Sequence, residues 1–103
     1  MAAYTNKEGI VLFDLQTDRR WTLWSGSGVR AAHLRFSSDG RVLLAGLEDG
    51  LVRAWSTSNG DSVLVLETGD SHVAWLDVSA DGLLLATAGR NDCLKIWECQ
   101  WPE

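Results

Sequence analysis

The side chains able to do acid–base or covalent chemistry are few, and their spacing is poor for it. The 103 residues include two histidines, His33 and His72, and two cysteines, Cys93 and Cys99. Glycoside hydrolysis needs two carboxyls facing each other across about 5–9.5 Å. Here acids such as Asp39, Asp49 and Asp81 stand in Asp-Gly turns, where the backbone itself uses them. The chain has no Gly-rich phosphate loop, no serine nucleophile elbow and no His-Glu-x-x-His metal pattern. On one extended strand the Cα atoms of Cys93 and Cys99 would lie roughly 20 Å apart, against about 4.4–6.8 Å in a disulfide. Neither cysteine has nearby His or Cys partners for a metal, so both read as small hydrophobes. The expectation is a non-enzyme with no catalytic residues, no metal and no cofactor.

Bulk properties narrow the remaining classes. The net charge is −5 with basic residues scattered along the chain, whereas a nucleic-acid groove needs clustered Lys and Arg to displace counterions. No apolar run approaches the roughly 18 residues of a membrane span, and the first residues lack the basic-then-apolar pattern of a secretory signal. Nucleic acid and membrane are therefore not expected as partners. Unpaired thiols without a leader point to the cytoplasm, with the nucleus as the alternative.

What does stand out is an internal repeat. Leu34 to Trp55 aligns without a gap on Leu76 to Trp97, at an offset of 42 residues. Asp39-Gly40 falls on Asp81-Gly82 and Trp55 on Trp97; one further step back from Trp55 lands on Phe13. Each unit reads as four short strands. Ala31 to Phe36 leads through Ser-Ser-Asp-Gly to Arg41–Leu47, then through Glu-Asp-Gly to Leu51–Ser56, then through Ser-Asn-Gly-Asp to Ser62–Glu67. The Asp-Gly pairs supply the positive φ of tight hairpins. Both faces of such a sheet are apolar, so it must be sandwiched between neighbours, at roughly 25 cal/mol per Å² of apolar surface kept from water.

These residues resemble the WD-repeat β-propeller family. The resemblance rests on Ser37-Ser-Asp-Gly40, Leu44-Ala-Gly46, Asp49-Gly50 and Val52-Arg-Ala-Trp55-Ser56, and on Ser79-Ala-Asp-Gly82, Leu85-Ala-Thr-Ala-Gly89 and Leu94-Lys-Ile-Trp97-Glu98. It implies an all-β fold of propeller blades, each of four antiparallel strands lettered a to d from the axis outward. In the family a His, a turn Asp, a strand Ser or Thr and the Trp often form a buried hydrogen-bonded tetrad. This sequence departs from that pattern: Gly26-Ser-Gly28 and Gly69-Asp70 stand where a Gly-His pair belongs, with His72 two positions late. Asp49 with Trp55, and Thr87 with Trp97 and Asn91, would each make part of a tetrad. Phe13, Trp55, Trp97, Asp39, Gly40, Asp81 and Gly82 are the expected structural residues.

Lettered this way, the chain reads c-d, a-b-c-d, a-b-c: about two and a quarter blades and an incomplete ring. The divisions are 9–28 (partial blade), 29–70 (full blade) and 71–103 (final blade lacking strand d). Ending on strand c resembles the last blade of a WD-repeat ring, whose d strand comes from the other end of the chain. Two expectations follow. The chain is the tail of a longer propeller, or it is a two-blade unit that closes a ring by self-assembly through its open edges.

The function implied is a protein-interaction scaffold. In the family, the loops entering strand a and those joining b to c share one rim that often carries binding. The candidates there are Arg30, Glu48, Asp49, Asp70, His72, Arg90 and Asn91, with Ser27 and Ser71 beside them, and the partners would be other proteins or peptide segments. Among the remaining tryptophans, Trp21 and Trp24, three apart on a d strand, should point to opposite faces. Trp75 on strand a would fill a blade junction or line the channel, and Trp101 would cover an open edge. The alternative to a binding rim is a purely architectural segment that completes a ring.

Overall fold

The computed structural model describes residues 1–6, 9–25, 29–89 and 94–99, and every regular element among them is a β-strand. In chain order these are β1 (Ala2–Asn6), β2 (Gly9–Asp14), β3 (Arg19–Trp24), β4 (Ala31–Phe36), β5 (Val42–Leu47), β6 (Leu51–Ser56), β7 (Ser62–Glu67), β8 (Trp75–Val78), β9 (Leu84–Ala88) and β10 (Leu94–Glu98). They form three antiparallel meanders: β1-β2-β3, β4-β5-β6-β7 and β8-β9-β10. The fold is the all-β blade arrangement anticipated from the repeat, with open sheets.

The a–b turns show why two copies of one sequence fold alike. In the middle sheet the Ser37 hydroxyl donates to Asp39 Oδ1 (2.7 Å), as does the Arg41 amide (3.0 Å). The Val42 amide donates to Ser37 Oγ (3.1 Å). The third sheet repeats the pattern: Ser79 Oγ and the Leu83 amide donate to Asp81 Oδ1 at 2.6 and 3.0 Å, and the Leu84 amide donates to Ser79 Oγ at 3.0 Å. Gly40 and Gly82 take φ of 73° and 77°, a conformation that L side chains rarely adopt.

Two sequence expectations need correction. The first concerns the start: nine strands beginning with c were expected, and the described residues form ten, because β1 supplies strand b to the first sheet. Ala2 pairs with Phe13, whereas the corresponding pair in the middle sheet is Leu43 with Trp55. The hairpin between β1 and β2 is one residue shorter than its counterpart between β5 and β6, so the gapless 42-residue phase slips inside β1. A one-residue slip moves every side chain to the other face, which hides the strand from a gapless alignment. The second concerns Trp21 and Trp24. A bulge at Leu23 lets Trp21 oppose Leu12 and Trp24 oppose Ile10, so both share one face of the sheet instead of two.

The middle sheet is covered on both sides. Leu43, Ala45, Leu47 and Trp55 pack with Ile10 of the first sheet. Leu44, Val52 and Ala54 point the other way and pack with Leu76 and Leu85 of the third and with Val73 in the loop before it. Among the polar links across the second junction, Arg35 Nε to Asp77 Oδ1 (2.8 Å) and Ser38 Oγ to the Ala80 carbonyl (2.5 Å) join positions 42 apart. Translation by one repeat thus carries each a strand onto its neighbour. Half-exposed ion pairs contribute at most about 1 kcal/mol, so apolar burial carries the junction.

Close approach of backbone to backbone makes Gly50 irreplaceable. Its φ is 87°, and an added Cβ would fall on the Asp70 carbonyl oxygen, at 1.9 Å. Gly40 has a similar φ but nothing within 4 Å of that position. Gly40→Ala is therefore expected to cost about 1 kcal/mol through strain alone. Gly50→Ala should cost several-fold more, since the 68–73 loop must move. Thermal melts of the two variants check this; equal losses would mean that the loop contact does not constrain the fold.

Candidate functional site

The loop rim is built by backbone hydrogen bonds between segments distant in sequence. The Glu48 amide donates to the Arg30 carbonyl and the Val73 amide to the Leu47 carbonyl, both at 2.9 Å. The Thr68 amide and hydroxyl both donate to the Gly50 carbonyl, at 3.2 and 2.6 Å. These bonds gather Arg30, Glu48, Asp49, Asp70 and His72 along one edge. Arg30, Glu48 and Asp49 are exposed and His72 is half-buried. Arg90, Asn91 and Ser27 lie outside the described residues.

Not all five present their side chains outward. Asp49 Oδ1 accepts from the Leu51 amide at 3.0 Å, so that carboxylate caps its own turn and keeps an exposed edge. The Asp70 side chain is only 8% exposed and turns inward, with Oδ1 3.5 Å from the Lys95 ammonium. Lys95 also donates to the Thr68 carbonyl at 2.5 Å. Sequence reasoning passed over Lys95, because its partners lie 25 and 27 residues away on a different sheet.

The aromatic positions divide similarly. Trp97 Nε1 donates to the buried Thr87 hydroxyl at 3.1 Å, the bond expected of a partial tetrad. Trp55 has Ala45 at the position equivalent to Thr87, so no hydroxyl faces it there; it packs on Trp24, ring centroids 6.2 Å apart. The Arg53 guanidinium lies over the other ring of that pair, 5.4 Å from the Trp24 centroid, a cation–π arrangement. Phe13 carries Arg20 in the same way at 5.2 Å. Trp75 is 38% exposed at the start of β8, and Trp101 lies outside the described residues.

Cys99 is a free, buried thiol, and burial pushes its pKa up. No cluster of three or more His, Cys, Asp or Glu able to hold a metal occurs among the described residues.

Comparison with known proteins settles the family. The WD40 domain of anaphase-promoting complex subunit 4 matches residues 1–81. The chain belongs to the WD-repeat propeller family. It is 31% identical over 88 residues to guanine nucleotide-binding protein subunit beta-5b of Danio rerio, an alignment covering 84% of this chain and 22% of that protein. The solved structure of U3-55K superposes with a TM-score of 0.66 at 25% identity, over 76% of this chain and 27% of the other. The WD-repeat chain thus spans about a quarter of the length of these relatives. As a family, WD-repeat propellers are generally non-enzymatic protein-interaction scaffolds.

On the opposite edge, the turn aspartates are held in their charged form by the hydrogen bonds of their own turns. The Gln16 amide holds the Asp14 carboxylate below its ordinary pKa; the Arg41 amide and then Ser37 do so for Asp39, and the Ser79 hydroxyl and then the Leu83 amide for Asp81. A lowered folded pKa gives stability that is present above the unfolded value, about 3.9, and lost as pH falls through the folded value. The thermal midpoint of an Asp39→Asn/Asp81→Asn variant should therefore fall less steeply below about pH 4 than that of the parent. Parallel acid limbs for the two proteins would show that these carboxylates do not set the acid response.

Proposed function

We propose that the edge carrying Arg30, Glu48, Asp49 and His72 binds a polar peptide segment of another protein. The observation supporting this is the hydrogen-bonded docking of the 29–30, 47–50 and 68–73 segments onto one another, which holds two exposed acids, an exposed arginine and a half-buried histidine at fixed spacing. Preorganised charges of both signs select register and partner more than they add affinity, and a rigid rim keeps the ordering cost of binding low. Arg90 and Asn91 would extend the same edge. With no membrane-length helix among the described residues and no basic cluster in the sequence, protein is the partner class this surface suits.

Peptides selected on the immobilised chain from a random library test the proposal. Their amide shift perturbations should concentrate at Arg30, Glu48, Asp49 and His72. Arg30→Glu with Glu48→Lys should weaken them at least tenfold with an unchanged thermal midpoint. Perturbations centred on the Asp39 and Asp81 turns would overturn it.

A second reading, self-association, is favoured by where apolar side chains remain exposed. Among the described residues, the exposed large hydrophobics other than Val65 belong to the two end sheets: Met1, Tyr4 and Leu15 at one end, Trp75, Leu83, Leu84, Leu94 and Ile96 at the other. Leu84, Leu94 and Ile96 stand 42 residues after Val42, Val52 and Ala54, which the third sheet covers. This open face is therefore shaped for another blade, and a second copy can supply one. Light scattering should show a mass rising with concentration, reduced by Leu94→Glu/Ile96→Glu. A monomer at every concentration would remove this reading.

A further inference from the structure

Lys95 sits on β10 of the third sheet, yet its ammonium makes its contacts to the 68–73 loop that leaves the middle sheet. It donates to the Thr68 carbonyl at 2.5 Å and faces Asp70 Oδ1 at 3.5 Å. The intervening Gly69 has a φ of 84°, and a Cβ there would lie 3.3 Å from the ammonium nitrogen. Asp70 is closed in from the other side by Gly89, whose added Cβ would meet the Asp70 side chain at 2.9 Å. Its Oδ2 is buried and accepts no hydrogen bond from the described residues. The carboxylate is 8% exposed, while the lysine is 36% exposed.

This asymmetry has a physical consequence. A buried carboxylate with one partner depends on that partner, because removing one member of such a pair leaves an uncompensated charge away from water. The lysine, in contrast, is reachable from solvent. The same loop supplies the Thr68 and Val73 amides that close the rim onto Gly50 and Leu47. If the charge on Lys95 is lost, an Asp70 that stays ionised regains solvation by swinging outward, which pulls on the loop that carries it.

We propose that the Lys95 ammonium is a charge-operated clamp holding the 68–73 loop against the third sheet, so that neutralising Lys95 releases the rim. The effect on partner binding rests on the rim reading above. The clamp itself does not, and the decisive measurement needs no partner.

Amide hydrogen exchange on the full chain reads it. Lys95→Gln should speed exchange at Thr68 and Val73 about tenfold or more while Leu44 and Ala45 in β5 stay protected. Lys95→Arg, which keeps the charge, should exchange like the parent. Asp70→Asn/Lys95→Gln should recover most of the protection, because no buried charge is left unpaired. Exchange within twofold of the parent in Lys95→Gln, or a double variant as fast as the single one, overturns the proposal. Should Lys95→Gln unfold altogether, refolding in the double variant supports the clamp and continued unfolding rejects it.

Discussion

Burial of both faces of one four-stranded sheet is the constraint on which the rest of this molecule depends. β5 and β6 carry apolar side chains in both directions, Leu43, Ala45 and Leu47 toward the first sheet and Leu44, Val52 and Ala54 toward the third. A strand with that composition has no solvent face, so it is stable only when flanked. Small residues set the spacing: a Cβ on Gly46 would come within 2.7 Å of Val73 Cγ1. The loop leading into the third sheet thus approaches as closely as the bare Gly46 backbone allows. Polar links such as Arg35–Asp77 choose the register of the approach and add little to its energy.

The rim follows from that packing. Val73 is both a core residue at the second junction and the donor that ties its loop to Leu47. The apolar anchor and the rim geometry are therefore one event, and surface charges such as Arg30 and Glu48 inherit fixed positions from it. The inner position of Asp70 has the same origin. Where the family pattern would place a histidine-bearing loop and a tetrad, this chain sets an aspartate against a lysine of the next sheet. That polar contact joins the 68–73 loop to the third sheet, beside the Trp97–Thr87 bond within it.

Much of this was legible in the residues, and the parts that were not share a cause. The Ser-x-Asp-Gly turns came from a local pattern repeated at a fixed offset, and local patterns survive in sequence; the Trp97–Thr87 bond and the shared rim were implied by the family resemblance that this pattern carries. The strand β1 was hidden because a hairpin one residue shorter broke the offset. The common face of Trp21 and Trp24 was hidden because a bulge breaks the two-residue period without any marker residue at Leu23. Asp70 read as a rim residue because loop position says where a backbone runs and not which way a carboxylate turns.

The sequence by itself determined the unit: four strands, their order, the turn chemistry that closes them and the double-sided apolar pattern that demands neighbours. These depend on contacts within about one repeat, where residue type and spacing are the physics. Only the tertiary structure decided how units meet. Which charges remain in water and which, like Asp70, are drawn inward is set by residues 25 to 42 positions apart arriving at one junction. No local pattern encodes those meetings, because they exist only once the apolar faces have closed.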